Sequence, residues 1–313
     1  MKRDMVLLGV VLVSAIVGVV VLLVGRPARP SGGGPTPSGQ EGTGQTPKQG
    51  GVWTPRSGHA PKAGDEYTNP TDGSVLVWIP GGDFVMGSRE GEADEGPPSR
   101  SHVQGFWMGK YEVTNAQYKR FLKAVPYRTP GYWDEPEYNK DDQPVVAIIY
   151  SEAMAYLKWA KLRFPAEAEW EYVAAGGKQF EYPTATGKIS HDLANCAGTG
   201  GRDVWDGVPA PVGSFPANPF GIYDLAGNAW EWTSSIYKEY PYSATDGREN
   251  PDPRGTMRVM RGGCWHFSSG FCRTTYRRRI ASHLRYDYVG IRVAVSEAEI
   301  EGGRPAAPEG GEE

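Results

Sequence analysis

The sequence predicts a single α+β domain, irregular and mixed, with little regular secondary structure, placed after an N-terminal transmembrane helix. Three observations point there. Residues 5–24 are twenty consecutive uncharged residues, mostly Val, Leu, Ile, Gly and Ala. Residues 64–296 form one block rich in Trp, Tyr and Gly, bounded by segments too polar to fold. Within that block, helical periodicity occurs in three short stretches, and more than a hundred residues after Gly177 are dense in Gly, Pro, Asn and aromatics. Loops of that length are usually functional or are held by something other than a strand ladder, such as bound ions.

The elements follow in chain order. A bilayer-spanning helix needs roughly 20 apolar residues, whereas the apolar region of a cleaved signal is ~7–15 residues long. Residues 1–26 are therefore expected to be an uncleaved anchor. Lys2 and Arg3 precede the span and Arg26 and Arg29 follow it, so charge alone barely orients it. The very short leading tail favours an inside N-terminus and an extracytoplasmic C-terminal domain. Residues 27–63, dominated by Gly, Pro, Ser, Thr and Gln, bury too little apolar surface to offset their ordering entropy and read as a disordered linker. Val75 to Ile79 and Asp83 to Met86 read as short strands around the turn signal Pro80-Gly81-Gly82. Thr114 and Gln117 form a capping box that opens a helix with Tyr118, Phe121 and Leu122 on one face. Ser151 opens a second helix, with Ala153, Tyr156, Leu157 and Ala160 at helical spacing. Pro165 starts a third, carrying Trp170 and Val173 and ending at Gly176-Gly177. Further on, 257–260 and 290–295 are strand candidates. Residues 297–313, with six glutamates against one arginine, are expected to be an acidic disordered tail.

Composition excludes several classes. A net charge of −4 and the lack of a basic patch interleaved with aromatics argue against nucleic acid. Three cysteines are too few for a disulfide-stapled scaffold. His59, His102, His191, His266 and His283 show no HxH or HxxxH spacing, so no histidine-based iron site is expected. Gly262-Gly263 is too short for a phosphate loop. Arg273, Arg277, Arg278 and Arg279 read as a solvated or salt-bridged edge rather than an anion site. Asp224 and Glu231, seven residues apart across a Gly-containing turn, read as an oxygen-ligand loop for a hard cation. The same acids would otherwise cap turns through backbone amides.

Seven strings carry a family resemblance. They are 79–88 (Ile-Pro-Gly-Gly-Asp-Phe-Val-Met-Gly-Ser), 111–115 (Tyr-Glu-Val-Thr-Asn), 163–172 (Arg-Phe-Pro-Ala-Glu-Ala-Glu-Trp-Glu-Tyr) and 211–215 (Pro-Val-Gly-Ser-Phe). Then follow 221–232 (Gly-Ile-Tyr-Asp-Leu-Ala-Gly-Asn-Ala-Trp-Glu-Trp), 258–263 (Arg-Val-Met-Arg-Gly-Gly) and 290–292 (Gly-Ile-Arg). In this order the set resembles the formylglycine-generating enzyme, or sulfatase-modifying factor, family. The resemblance implies an irregular fold related to C-type lectins. Phe164 and Ala166 stand where the family usually has Leu and Thr, and Ile291 where it has Phe. The resemblance also implies structural calcium, held by the side chains of Asp224 and Glu231 with the carbonyls of Gly227 and Ala229. A second calcium would take Asn195 and Asp206, with the carbonyls of Cys196 and Val208.

The cysteines complicate the family reaction. Catalytic members bind Cu(I) through two cysteines five residues apart after a Gly-Gly-Ser string; copper activates O2, and a substrate cysteine becomes formylglycine. Counted from Gly262-Gly263, the second position is Cys272 and the first is Phe267, which cannot coordinate copper. Ser268 replaces the histidine after the first cysteine, and Cys264 replaces the serine after Gly-Gly. Three readings follow: a dead site with buried small apolar cysteines, a relocated Cys264–Cys272 metal or redox pair, or a Cys264–Cys272 disulfide in an oxidising compartment. The leading expectation is a membrane-anchored, calcium-stabilised binding or assembly module with a protein or peptide partner. In it, Trp107, Trp230, Trp232 and Trp265 either line a partner groove or fill the core. The alternatives are a copper-dependent thiol oxidase using Cys264 and Cys272, and a glycan-binding module by analogy with calcium lectins.

Overall fold

Short elements joined by long loops make up the structure, a computed structural model that describes residues 52, 54, 60–198, 204–205, 207–252 and 256–301. The expected anchor at 5–24 and most of the expected linker lie outside the described residues. Among the described residues no helix is long and apolar enough to cross a membrane. The strands are β1 (Glu66–Thr68), β2 (Val75–Ile79), β3 (Gly82–Met86), β4 (Ser99–Val103) and β5 (Phe106–Gly109). Helices α1 (Asn115–Ala124), α2 (Tyr150–Ala160) and α3 (Glu167–Ala174) come next. After a long irregular stretch follow β6 (Trp230–Ile236), β7 (Met257–Arg261), β8 (Arg278–Ala281), β9 (Val289–Gly290), β10 (Ala294–Val295) and α4 (Glu297–Glu301). The last of these is a short helix at the start of the stretch expected to be a disordered tail. It is held to the domain by Arg163–Glu299 at 3.6 Å, and Ile300 packs on the main core.

Helix starts obey local chemistry. At α1, Thr114 Oγ1 accepts from the Gln117 amide at 3.3 Å, while Gln117 Oε1 accepts from the Thr114 amide at 2.8 Å. Tyr118 and Phe121 face the core. Helix α2 begins one residue before Ser151, because Glu152 Oε2 reaches back to the Ile149 amide at 3.1 Å. Its expected face, Ala153, Tyr156, Leu157 and Ala160, is buried. Helix α3 ends before Gly176 and Gly177, both of which have positive φ.

The sheets divide differently from the sequence reading. β1, β2, β5 and β10 form one sheet in the order β1-β2-β5-β10; β3 and β4 form a ribbon; β8, β7, β6 and β9 form a third sheet in that order. The Pro80-Gly81 turn thus passes from one sheet to another instead of closing a hairpin. A Cβ at Gly81 would lie 2.7 Å from the Val103 carbonyl, so the glycine permits that crossing. The stretch 290–295 is likewise not one strand: β9 and β10 belong to different sheets, and Arg292 lies between them. Strand β6 was hidden in the sequence because nearly all its residues are buried, which removes the alternation of a half-exposed strand. It pairs antiparallel with β7 (Glu231 opposite Arg261) and parallel with β9 (Glu231 opposite Gly290).

The four tryptophans considered for a groove are core residues. Trp107, Trp230 and Trp232 are fully buried and Trp265 is 2 % exposed, all in the main hydrophobic cluster. The basic run is in part salt-bridged, one of the two states its sequence allowed. Arg273 pairs with buried Glu95, and Arg277 is itself buried. Arg277 donates to Glu167 Oε1 and Oε2 at 2.6 and 3.0 Å. Arg261 at the end of β7 donates to Glu167 Oε1 at 2.8 Å and Glu171 Oε2 at 2.6 Å, joining α3 to the third sheet. Burial pushes both carboxyls up; the two guanidiniums bring Glu167 below its ordinary value, whereas Glu171 stays above it. Removing one member of such a buried network leaves the other charge uncompensated, a cost of about 3–5 kcal/mol. Arg261→Met is therefore expected to lower the free energy of unfolding by that amount in urea titration. A variant with an unaltered midpoint would show that α3 is held by apolar packing alone.

Candidate functional site

The loop 224–229 folds through left-handed conformations: Asp224 and Asn228 both have φ 58° and Gly227 has φ 79°. Gly227 is required there, since a Cβ would meet the Asn195 carbonyl oxygen at 2.2 Å. The turn lays the chain beside the segment around Asn195. The Asn228 amide donates to the Asn195 carbonyl at 2.8 Å, and the Gly227 amide to the Gly262 carbonyl at 2.7 Å. Asn195, Gly227, Ala229 and Glu231 are thereby brought together with the Gly262-Gly263 turn.

A buried acidic centre results. Glu231 is fully buried, and both its oxygens accept from Arg292: Nε lies 2.9 Å from Oε1 and 3.0 Å from Oε2, and a terminal guanidinium nitrogen 2.7 Å from Oε1. Trp170 Nε1 donates to Oε2 at 2.6 Å. Asp224 accepts from the Gly213 amide through Oδ2 at 2.6 Å, and its buried Oδ1 has no hydrogen-bond partner among the described residues. Glu112, to which the sequence reading assigned no role, is a third buried carboxylate. It accepts from Asn228 Nδ2 at 2.6 Å and from the Ala229 amide at 2.9 Å. Three carboxylates thus face one guanidinium. Burial, reinforced by Asp224 and Glu231, pushes the Glu112 carboxyl well above the usual range. Burial likewise pushes Asp224 up to about 7, although the Gly213 amide and Arg292 pull the other way.

The second expected site is half visible. Asn195 Nδ2 donates to the Val208 carbonyl at 3.0 Å, and buried Asn195 Oδ1 has no hydrogen-bond partner among the described residues. Asp206 lies outside the described residues. The orphaned oxygens of Asp224 and Asn195 fit an oxygen-seeking cation, as does the surplus of carboxylate at the first site. Glu231 fits less well, because Arg292 and Trp170 already occupy its lone pairs. Calcium there would take Asp224 and the neighbouring carbonyls first. It would supply fixed positive charge.

The thiols group in an unexpected way. Cys264 belongs to the main core; its carbonyl accepts from the Phe267 amide at 3.2 Å, and the His266 and Phe267 amides lie close enough to its thiol to act on it electrostatically. Burial, partly offset by those amides, pushes its thiol up to about 12. Cys272, fully buried, lies in a separate small cluster with Ala194, Cys196 and Ala226, and its thiol hydrogen-bonds Cys196. Among the described residues no disulfide joins the cysteines. The thiol packed beside Cys272 is that of Cys196, expected only to lend a carbonyl, while Cys264 lies near enough to act on Cys272 electrostatically. At the first copper position, Phe267 packs on Phe271 and Tyr288 with ring centroids 5.1 and 5.2 Å away, under the Arg278 guanidinium at 4.7 Å. These residues do not fit the two-thiolate copper site of the catalytic pattern.

The acidic centre predicts a pH dependence. The folded-state pKa of Asp224 lies above its unfolded value of 3.8, so the folded chain binds more protons in the window between the two and loses stability as pH rises through it. In the presence of a chelator, stability should fall by on the order of a few kcal/mol between about pH 4 and about pH 7. Asp224→Asn should flatten that slope in thermal melts. Equal slopes in the two proteins would remove Asp224 as the titrating group.

Comparison with known proteins agrees with this architecture. Residues 62–297 match the family described as the sulfatase-modifying factor enzyme 1-like domain. The chain is 28% identical over 322 residues to the formylglycine-generating enzyme of Bos taurus, covering 82% of this chain and 84% of that protein. It is 34% identical over 225 residues to the serine/threonine-protein kinase pkn1 of Chlamydia caviae, covering 65% of this chain but 35% of the kinase. The chain thus spans about a third of the length of the curated kinases it matches. Among solved structures, PvdO from Pseudomonas aeruginosa superposes with a TM-score of 0.66 at 29% identity, covering 76% of this chain and 100% of that one. With three quarters of its length matched by the family pattern, the chain belongs to the sulfatase-modifying factor enzyme 1-like family, whose members include formylglycine-generating enzymes.

Proposed function

We propose that this chain is a non-catalytic member of its family, acting as a binding or assembly module for a protein or peptide partner. The observation that carries the reading is Phe267. An aromatic ring fills the first thiolate position and is packed on three sides by Phe271, Tyr288 and Arg278. Cys264 does not stand in for the missing thiolate. It sits within the main core, where burial pushes its thiol up to about 12. A thiol that stays protonated is a poor nucleophile and a poor metal ligand. The uncharged run 5–24 supports membrane anchorage, and an oxygen-rich calcium centre suits an extracytoplasmic domain.

Two measurements test this reading. Loaded with Cu(I) and offered O2 and a sulfatase-type cysteine peptide, the full chain should show no oxygen consumption and no formylglycine. Turnover that disappears in Cys272→Ala would overturn the non-catalytic assignment. For the acidic centre, calcium at 100-fold excess over its dissociation constant should stabilise the fold by about 2.7 kcal/mol. Asp224→Ala should abolish that increment. Melting curves that superimpose with calcium and with chelator would dismiss the calcium proposal.

A further inference from the structure

The third cysteine lies on a segment whose position is fixed at both ends. The Asn195 carbonyl accepts from the Asn228 amide at 2.8 Å, and the Ala197 amide donates to the Phe267 carbonyl at 2.9 Å. Parallel bridges join Asn195 to Gly227 and Ala197 to Ser268. Cys196, between them, packs in one small buried cluster with Cys272 at the end of the 3-10 turn Ser269–Cys272. Ala194 and Ala226 enclose the pair, with Tyr182 and Ile189 at the edge. Gly263 leaves room for it: a Cβ there would lie 2.5 Å from Cys272 Sγ. The pocket is apolar and Cys196 is 2 % exposed, so the reduced pair is shielded in the closed fold.

We propose that Cys196 and Cys272 are a disulfide-forming pair, oxidised by a small-molecule disulfide when the 195–197 segment opens. Thiols packed in one small cluster need only a local shift to reach a bond of about 2.05 Å. In the first step the Cys196 thiolate attacks one sulfur of the small disulfide; that S–S bond breaks and one small thiol leaves. In the second the Cys272 thiolate attacks Cys196 Sγ in the mixed disulfide and expels the second small thiol. One disulfide is reduced to two thiols, two protein thiols are oxidised by two electrons, and their two protons pass to the released thiols. The new bond closes the loop from 196 to 272, which contains Asp224, Asn228 and Glu231. It would fasten the Asn195 side of the acidic centre to the Gly262-Gly263 side. The assignment does not depend on whether the chain is catalytic.

The test uses the full chain with oxidised glutathione, with urea raised stepwise to the folding midpoint so that the segment opens, then diluted away. Residual thiols are alkylated and the chain is mapped by mass spectrometry without reduction. The expected product is a Cys196–Cys272 crosslink with Cys264 alkylated, and a melting temperature above that of the reduced chain. Cys196→Ala should show neither the crosslink nor the rise. Three alkylated cysteines at every urea concentration, a crosslink through Cys264, or glutathione retained on Cys196 would each overturn the proposal.

Discussion

The pairing of Arg292 with Glu231 is the contact on which the domain turns. Arg292 donates to the Gly109 carbonyl at the end of β5, to the Tyr223 carbonyl ahead of the acidic loop, and to Glu231 on β6. Glu231 in turn holds the indole of Trp170 on α3. One ion pair therefore links the first sheet, the third sheet, a helix and the loop that carries Asp224. Its full burial would be costly if any donor were unpaired, and the three nitrogens of the guanidinium all have acceptors. The interruption between β9 and β10 has the same origin. A continuous strand would alternate its side chains across a sheet; the break lets Arg292 reach inward.

A second buried network makes the acidic centre easier to interpret. Around α3, Glu167 and Glu171 meet Arg261 and Arg277, two acids against two bases, and Glu167 is held below its ordinary pKa. That arrangement is balanced in charge, although Arg261 Nε has no hydrogen-bond partner among the described residues, and it reads as structural. Around Arg292, three acids meet one base; Glu112 and Asp224 are both pushed up, and one Asp224 oxygen is orphaned. Buried polar groups in folded proteins are almost always satisfied. The contrast between the two networks, within one fold, lies in charge: one is balanced, and the other has a surplus of carboxylate.

Much of this could be read in the sequence, and the omissions have physical causes. The Thr114–Gln117 capping box, the buried face of α2 and strand β2 are local patterns, and local geometry realises them. Asp224 and Glu231 were identifiable because their spacing lies within a single loop. Glu112 was not, because its partners Asn228 and Ala229 lie more than a hundred residues away. Its only sequence signal was membership of the string 111–115. Strand β6 escaped because burial on both faces erases periodicity, and the tryptophans could be read as groove or as core residues because composition does not separate core from surface.

The cysteines show why position in a motif is weaker than position in space. Counting along the chain singled out Cys272 and Phe267, and the resemblance suggested Cys264 as a substitute because the residue after Gly-Gly lines the same site in the family. The turn after Gly263 sends Cys264 into the main core and Cys272 into a separate pocket, while β-type contacts of residues 195–197 deliver Cys196 to that same pocket. Gly263 helps to decide the outcome, since any side chain there would collide with the sulfur of Cys272. A glycine that belongs to the family string thus serves a local purpose in this chain. It keeps open the space in which two distant thiols lie together.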